Sequence, residues 1–150
     1  MLVSCTGPSL EQLLAAEDLP STALTRLSME RALVAVRDGR SVRLFEFRAE
    51  HDGWVRQEIS RSGVGDAVSS VQLQSLDGET GDEWNTFIYG AAPPQVSRVQ
   101  IEGYEGEGGR VVQGTWVIAL RDKGLTPADV HWTFVDALGA VVDSGSGIIP

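Results

Sequence analysis

At 150 residues and a formal net charge of −9, the chain is the size of one domain whose core needs no metal or disulfide staple. Its acidity opposes binding to nucleic acid, where affinity rests on Lys and Arg displacing condensed counterions, and disfavours anionic lipid surfaces. The single cysteine, Cys5, excludes an intrachain bridge and has no Cys or His neighbour at zinc-ligand spacing, and no segment reaches the length of a transmembrane helix.

Pro8-Ser9-Leu10-Glu11-Gln12 has the form of a helix start. Ser9 can cap the free backbone donors, and Gln12 can return the bond as in a capping box. Leu10, Leu13 and Leu14 then share one face and Pro20 ends the element. The spacing predicts a helix of about ten residues, too short to stand alone and therefore docked on the rest of the fold. Residues 1–8 are expected to form a flexible segment ahead of a single domain over 9–150. A second short turn is read around Ser21–Leu27.

From Arg31 the apolar period shifts toward two. Ala32–Val36 and Val42–Phe47 flank Arg37-Asp38-Gly39-Arg40, and Asp-Gly tolerates the positive φ of a tight hairpin turn. His51-Asp52-Gly53 is a second such turn and leads into Trp54–Ile59. Ser60–Ala67 reads as a loop before a strand at Val68–Leu73, and the acidic loop Asp77–Glu83 follows. Beyond it, Trp84–Tyr89, Val96–Ile101, Thr115–Leu120, Val130–Val135 and Ala140–Val142 are apolar or alternating runs separated by turn residues, the signature of an all-β domain. Both groups of strands are half-apolar, so one core covering both is expected.

Two stretches carry a resemblance. Leu2-Val3-Ser4-Cys5 resembles the bacterial lipobox, in which a small residue precedes the cysteine that is cleaved and lipidated, and Leu13–Pro20 is similar to segments near the mature start of envelope lipoproteins. A lipoprotein signal also needs a basic stretch and an apolar segment before the box, whereas only Met1 precedes Leu2. Thr86–Ile101, followed later by Asp136–Val142, resembles uncharacterised bacterial envelope β-sandwich domains. In those a strand ends in Gly, a loop follows, and a later strand closes with an Asp-x-x-Gly turn. The resemblance covers under half of the chain. It implies a sandwich fold, a place in the cell envelope and, for a full-length precursor, Cys5 as a lipid anchor. It implies no activity. A native start at Met1 would instead favour an intracellular interaction role.

Candidate chemistry is sparse. The loop from Asp77 to Glu83 offers Asp77, Glu79, Asp82 and Glu83 as oxygen ligands for a hard cation such as calcium. Its spacing departs from an EF-hand, and a solvated loop tip is the favoured reading. Glu102, Glu105 and Glu107 beside another glycine cluster read as a soluble turn. His51 and His131 are the only histidines, so imidazole base chemistry near neutral pH must use one of them. A hydrolase or lyase would combine one with Asp129, Asp136 or Glu83. Ser144-Gly145-Ser146-Gly147 lacks the spacing and helix of a nucleophile elbow, and Gly63-Val64-Gly65 lacks the third glycine of a dinucleotide fingerprint. No cofactor is expected. Among the four tryptophans, Trp132 and Trp116 are in phase with apolar neighbours and read as core, together with Phe134 and Val99. Trp54 and Trp84 follow polar turns and are the candidates for a ligand-binding patch, suited to a sugar or a partner's apolar side chain.

The sequence therefore predicts a mainly β protein, an Ig-like β-sandwich of roughly seven to nine strands with one short N-terminal helix. It also predicts a non-catalytic extracytoplasmic module that binds protein or glycan.

Overall fold

The computed structural model describes residues 9–16, 18–19, 24–51, 53–75, 86–104, 109–121 and 125–148. Ser9 and Gln12 form the reciprocal pair expected of a capping box: the Ser9 N–H donates to Gln12 Oε1 at 2.8 Å, and the Gln12 N–H donates to Ser9 Oγ at 3.2 Å. Helix α1 (Leu10–Ala16) follows. It stops short of the expected length because Asp18 adopts a positive φ of 56°, which closes the last turn ahead of Pro20.

The rest of the described chain is β. Strands β1 (Thr25–Arg26), β2 (Arg31–Asp38), β3 (Ser41–Glu50) and β4 (Gly53–Gly63) form an antiparallel meander in that order. The β2–β3 turn is the expected Asp-Gly one: Asp38 pairs with Ser41, and Gly39 supplies a φ of +61°. A register shift between Leu44 and Phe45 leaves an extra residue in β4 at Ile59. Past it β4 continues to Gly63, through residues whose polarity reads as a loop. They are polar because β4 is an edge strand with alternate positions in solvent.

A three-stranded sheet, β5 (Gln72–Ser75), β6 (Thr86–Ala91) and β9 (Thr115–Leu120), has the order β5-β6-β9. A third sheet has the order β11-β10-β7-β8, from β7 (Arg98–Ile101), β8 (Gly109–Arg110), β10 (His131–Val135) and β11 (Val141–Ser146). Two strand assignments move. The run expected at Val68–Leu73 joins the β5–β6 ladder only from Gln72 onward, because Ser70 crosses over Gly90 instead, with the Ser70 N–H and Oγ bonded to the backbone of Ala91. The last strand extends past Val142 into the Ser-Gly-Ser run.

The three sheets stack. Every residue of β6 and β9 is buried, and strand alternation divides them between two clusters. Phe87, Tyr89, Ala91, Val117 and Ala119 meet Leu33, Ala35, Val42 and Leu44 of the meander. Ile88, Trp116, Ile118 and Leu120 meet Val99, Ile101, Trp132 and Phe134 of the third sheet. The far face of the meander is covered by α1, where Leu10 and Leu14 pack on Ala32, Val34, Phe45 and Phe47. Trp116, Trp132, Phe134 and Val99 are core as predicted; Phe134 stands between the two indoles, with ring centroids 6.2 Å from Trp116 and 4.8 Å from Trp132. Polar bonds pin the layers: Thr115 Oγ1 donates to the Ala35 carbonyl at 2.8 Å, and the hydroxyls of Ser60 and Tyr89 share a hydrogen bond.

Candidate functional site

The outer face of the β11-β10-β7-β8 sheet is built by the same alternation that buries its inner face. With Trp132, Phe134, Val99 and Ile101 turned inward, His131 and Thr133 of β10 and Gln100 of β7 must turn outward. Register then sets their neighbours. His131 pairs with Ser146 on one side, and on the other its carbonyl accepts the Glu102 N–H at 2.9 Å. Thr133 pairs with Ser144 and Gln100. Two parallel rows result, Ser146–His131–Glu102 and Ser144–Thr133–Gln100, and all six residues line one open depression of about 430 Å³, with Trp132 and Gly145 at its floor.

The chemistry of this face is that of neutral hydroxyl and amide groups with one imidazole and one carboxylate. None of the six side chains makes a hydrogen bond or short ion pair with another described residue, and His131 has the Asp129 carboxylate nearby; hydroxyl, amide and imidazole groups of this kind can bond water or a ligand.

Of the carboxylates expected to serve a histidine, Asp129 and Asp136 bond to their own turns, and Glu83 lies outside the described residues. Asp129 closes a capping box on a 3-10 turn (Pro127–Asp129), accepting the Thr126 N–H at 2.9 Å and the Thr126 hydroxyl at 2.8 Å. These two bonds, with a smaller contribution from the nearby His131, lower its pKa. Asp136 Oδ1 accepts the N–H groups of Leu138 and Ala140, both at 2.9 Å, and so fixes the β10–β11 turn. His51 is exposed in the β3–β4 turn. Glu102 and Ser146, the neighbours His131 does have, belong to a turn and a Gly-Ser run in sequence, and only the strand register brings them together.

Trp54 is half-buried and packs against the cluster of Leu10, Leu14 and Phe47 beneath α1. Trp84, the ligands proposed for a cation (Asp77, Glu79, Asp82 and Glu83) and Cys5 lie outside the described residues, as do the 1–8 segment, Glu105 and Glu107. Among the described residues, no group of three or more His, Cys, Asp or Glu side chains converges to hold a metal ion.

A second cluster of charge sits on the meander. Arg43 and Arg61 both grip Glu58 with paired bonds of 2.8–3.2 Å, and Arg43 also reaches Asp38 at 3.0 Å. The hydrogen bonds from Arg61 and Arg43 lower the Glu58 pKa from 4.5 to about 2. Both lone-pair sets of this carboxylate are occupied, so the cluster is a closed network. A buried counterpart lies on the opposite face, where Glu46 accepts from Arg31 at 2.6 Å and from Arg48 at 2.9 Å.

Comparison of the chain with models of known protein families, with curated proteins and with solved structures found no match.

Proposed function

We propose that the chain is a non-catalytic binding or protein-interaction module, and that its ligand face is the outer face of the β11-β10-β7-β8 sheet. The observation that carries this reading is the six polar side chains, none hydrogen-bonded to another described residue, in two adjacent rows around one depression. Such groups exchange water for the polar groups of a ligand and give orientation rather than bulk affinity. An extracytoplasmic location belongs to the same proposal, supported by the lipobox-like Leu2–Cys5. An in-frame basic and apolar segment encoded upstream of Met1 is its test.

One row favours a second reading. Ser146 of β11, His131 of β10 and Glu102, the first residue after β7, present hydroxyl, imidazole and carboxylate side by side, the order a hydroxyl nucleophile requires. Against it, backbone N–H groups in a sheet lie along the ladder direction and not toward the face, so the row has no oxyanion donors from its own strands.

Titration of 15N-labelled protein with panels of soluble glycans and of short peptides separates the two. A binding module gives chemical-shift changes at His131, Thr133, Ser144, Ser146 and the Trp132 indole N–H, and Thr133→Ala with Ser144→Ala abolishes them. Turnover of fluorogenic esters that disappears in both Ser146→Ala and His131→Ala overturns the non-catalytic reading.

A further inference from the structure

The open edge of β11 differs in kind from that of β4, the longest edge strand among the described residues. β4 is blunted: it carries Arg56, Glu58 and Arg61, and the register shift at Leu44/Phe45 distorts its line, the devices that keep an edge from pairing. β11 has the sequence Val-Val-Asp-Ser-Gly-Ser, with Asp143 as its only charge and no position fully buried. The ladder shows which of its backbone groups face out. The Gly147 N–H bonds to the Val130 carbonyl at 2.8 Å, which places residues 143, 145 and 147 in hydrogen-bonded pairs with β10 and turns the amides of Ser144 and Ser146 toward the edge. Asp143 Oδ1 holds the Ser144 N–H at 2.9 Å. The Ser144 carbonyl and both backbone groups of Ser146 have no partner among the described residues.

Charge and apolar surface specify what could pair there. Eight of the twelve basic residues lie between Arg26 and Arg61, within the meander, while fifteen of the twenty-one carboxylates lie outside the 25–63 stretch. The part of the chain that carries β11 is therefore strongly acidic, and a second copy would bring like charge to the edge. At one end of the strand the β10–β11 turn, fixed by Asp136, displays Leu138 at 94% exposure, and the first residue of β11, Val141, is 64% exposed.

We propose that β11 is an acceptor edge for an extended segment of a partner protein that alternates basic and apolar residues, added by backbone pairing at Ser144 and Ser146. This rests on the binding-module reading and names the class of partner. The incoming strand meets Asp143 with its basic residues and Val141 and Leu138 with its apolar ones, and it lies beside the Ser144 and Ser146 hydroxyls of the polar face.

The test uses a blocked peptide of alternating Val and Lys, its Val and Glu counterpart, and a Val and Lys version with alternate amides N-methylated, each titrated into 15N-labelled full chain. The expected result is binding of the Val and Lys peptide with slowed exchange of the Ser146 amide, weakened about tenfold by N-methylation and about tenfold by Asp143→Lys. Ser146→Pro, which removes an outward N–H at an edge position, is the second variant, with the near-ultraviolet signal of Trp132 reporting that each variant is folded. Equal binding of the N-methylated peptide means attraction by charge alone and overturns the proposal. Glycan or peptide shifts confined to Gln100, His131 and Thr133, with Ser146 exchange unchanged, overturn the edge while sparing the binding face. Silence of the whole face toward every probe overturns both, and a dimer that protects Ser146 without peptide makes a second copy the occupant and overturns the proposal.

Discussion

Trp132 and Gly145 face one another across the β10–β11 ladder so closely that a Cβ on Gly145 would stand 2.6 Å from Cζ2 of the indole. The indole N–H reaches two residue pairs further, donating to the Gly147 carbonyl at 3.2 Å. The Gly-Ser run is thus the lid over a core tryptophan. Gly145→Ala is expected to cost about 1–3 kcal/mol as the indole is displaced, and Trp132→Ala about 3–5 kcal/mol. Urea unfolding followed by circular dichroism measures both; a Gly145→Ala midpoint equal to the parent's would mean that the indole has room to move.

Gly90 admits a second close crossing. A Cβ there would lie 2.0 Å from the Ser70 carbonyl oxygen, and a backbone atom cannot yield as a side-chain tip can. Gly90→Ala is expected to destabilise by about 3 kcal/mol and to detach the Ser70 crossing, which hydrogen exchange at the Ser70 amide reads directly.

Removing one partner from the buried Arg31–Glu46 pair leaves an uncompensated charge. Glu46→Ala is expected to cost about 3–5 kcal/mol, whereas joint replacement of Arg31 by Met and Glu46 by Leu is expected to be neutral or stabilising. A double-mutant cycle in urea decides this, and additive costs would show that the two groups act independently.

Glu58 makes stability depend on acid. Its folded pKa of about 2 lies below the ordinary 4.5, so its contribution is present above pH 4.5 and is lost as the pH falls toward 2. Glu58→Gln is expected to flatten the pH dependence of unfolding in that window. A carboxyl 13C titration of Glu58 with a midpoint near 4 would contradict the bonding from Arg61 and Arg43.

The elements that declared themselves in sequence are those governed by local chemistry. Ser9 and Gln12, Asp38-Gly39, and the phase of Trp132 with Phe134 act within a few residues of one another. The central sheet left a signal too: Thr86–Ala91 and Thr115–Leu120 are almost unbroken apolar runs, as strands covered on both faces must be. Reading them simply as strands missed the extra layer. The polar face was not legible, because Ser146, His131 and Glu102 become neighbours only through the register of three strands. Burial of Glu46 was hidden for a similar reason, since its arginine partners come from β2 and from further along β3. Sequence also suggested Trp54 as a surface candidate because it follows a turn, and α1, about forty residues earlier in the chain, packs beside it and leaves it half-buried.

The covered central layer also orders events during synthesis. The meander joins neighbours in sequence and can pair as it leaves the ribosome, but Thr86 pairs with Leu120, so β6 has no partner on that side until β9 has been made. Until then Leu33, Val42 and Leu44 lack the layer that buries them. The nascent chain thus passes through a stage with a formed sheet and a bare apolar face, and that interval, more than the finished molecule, is where this protein is most exposed to aggregation and to capture by chaperones.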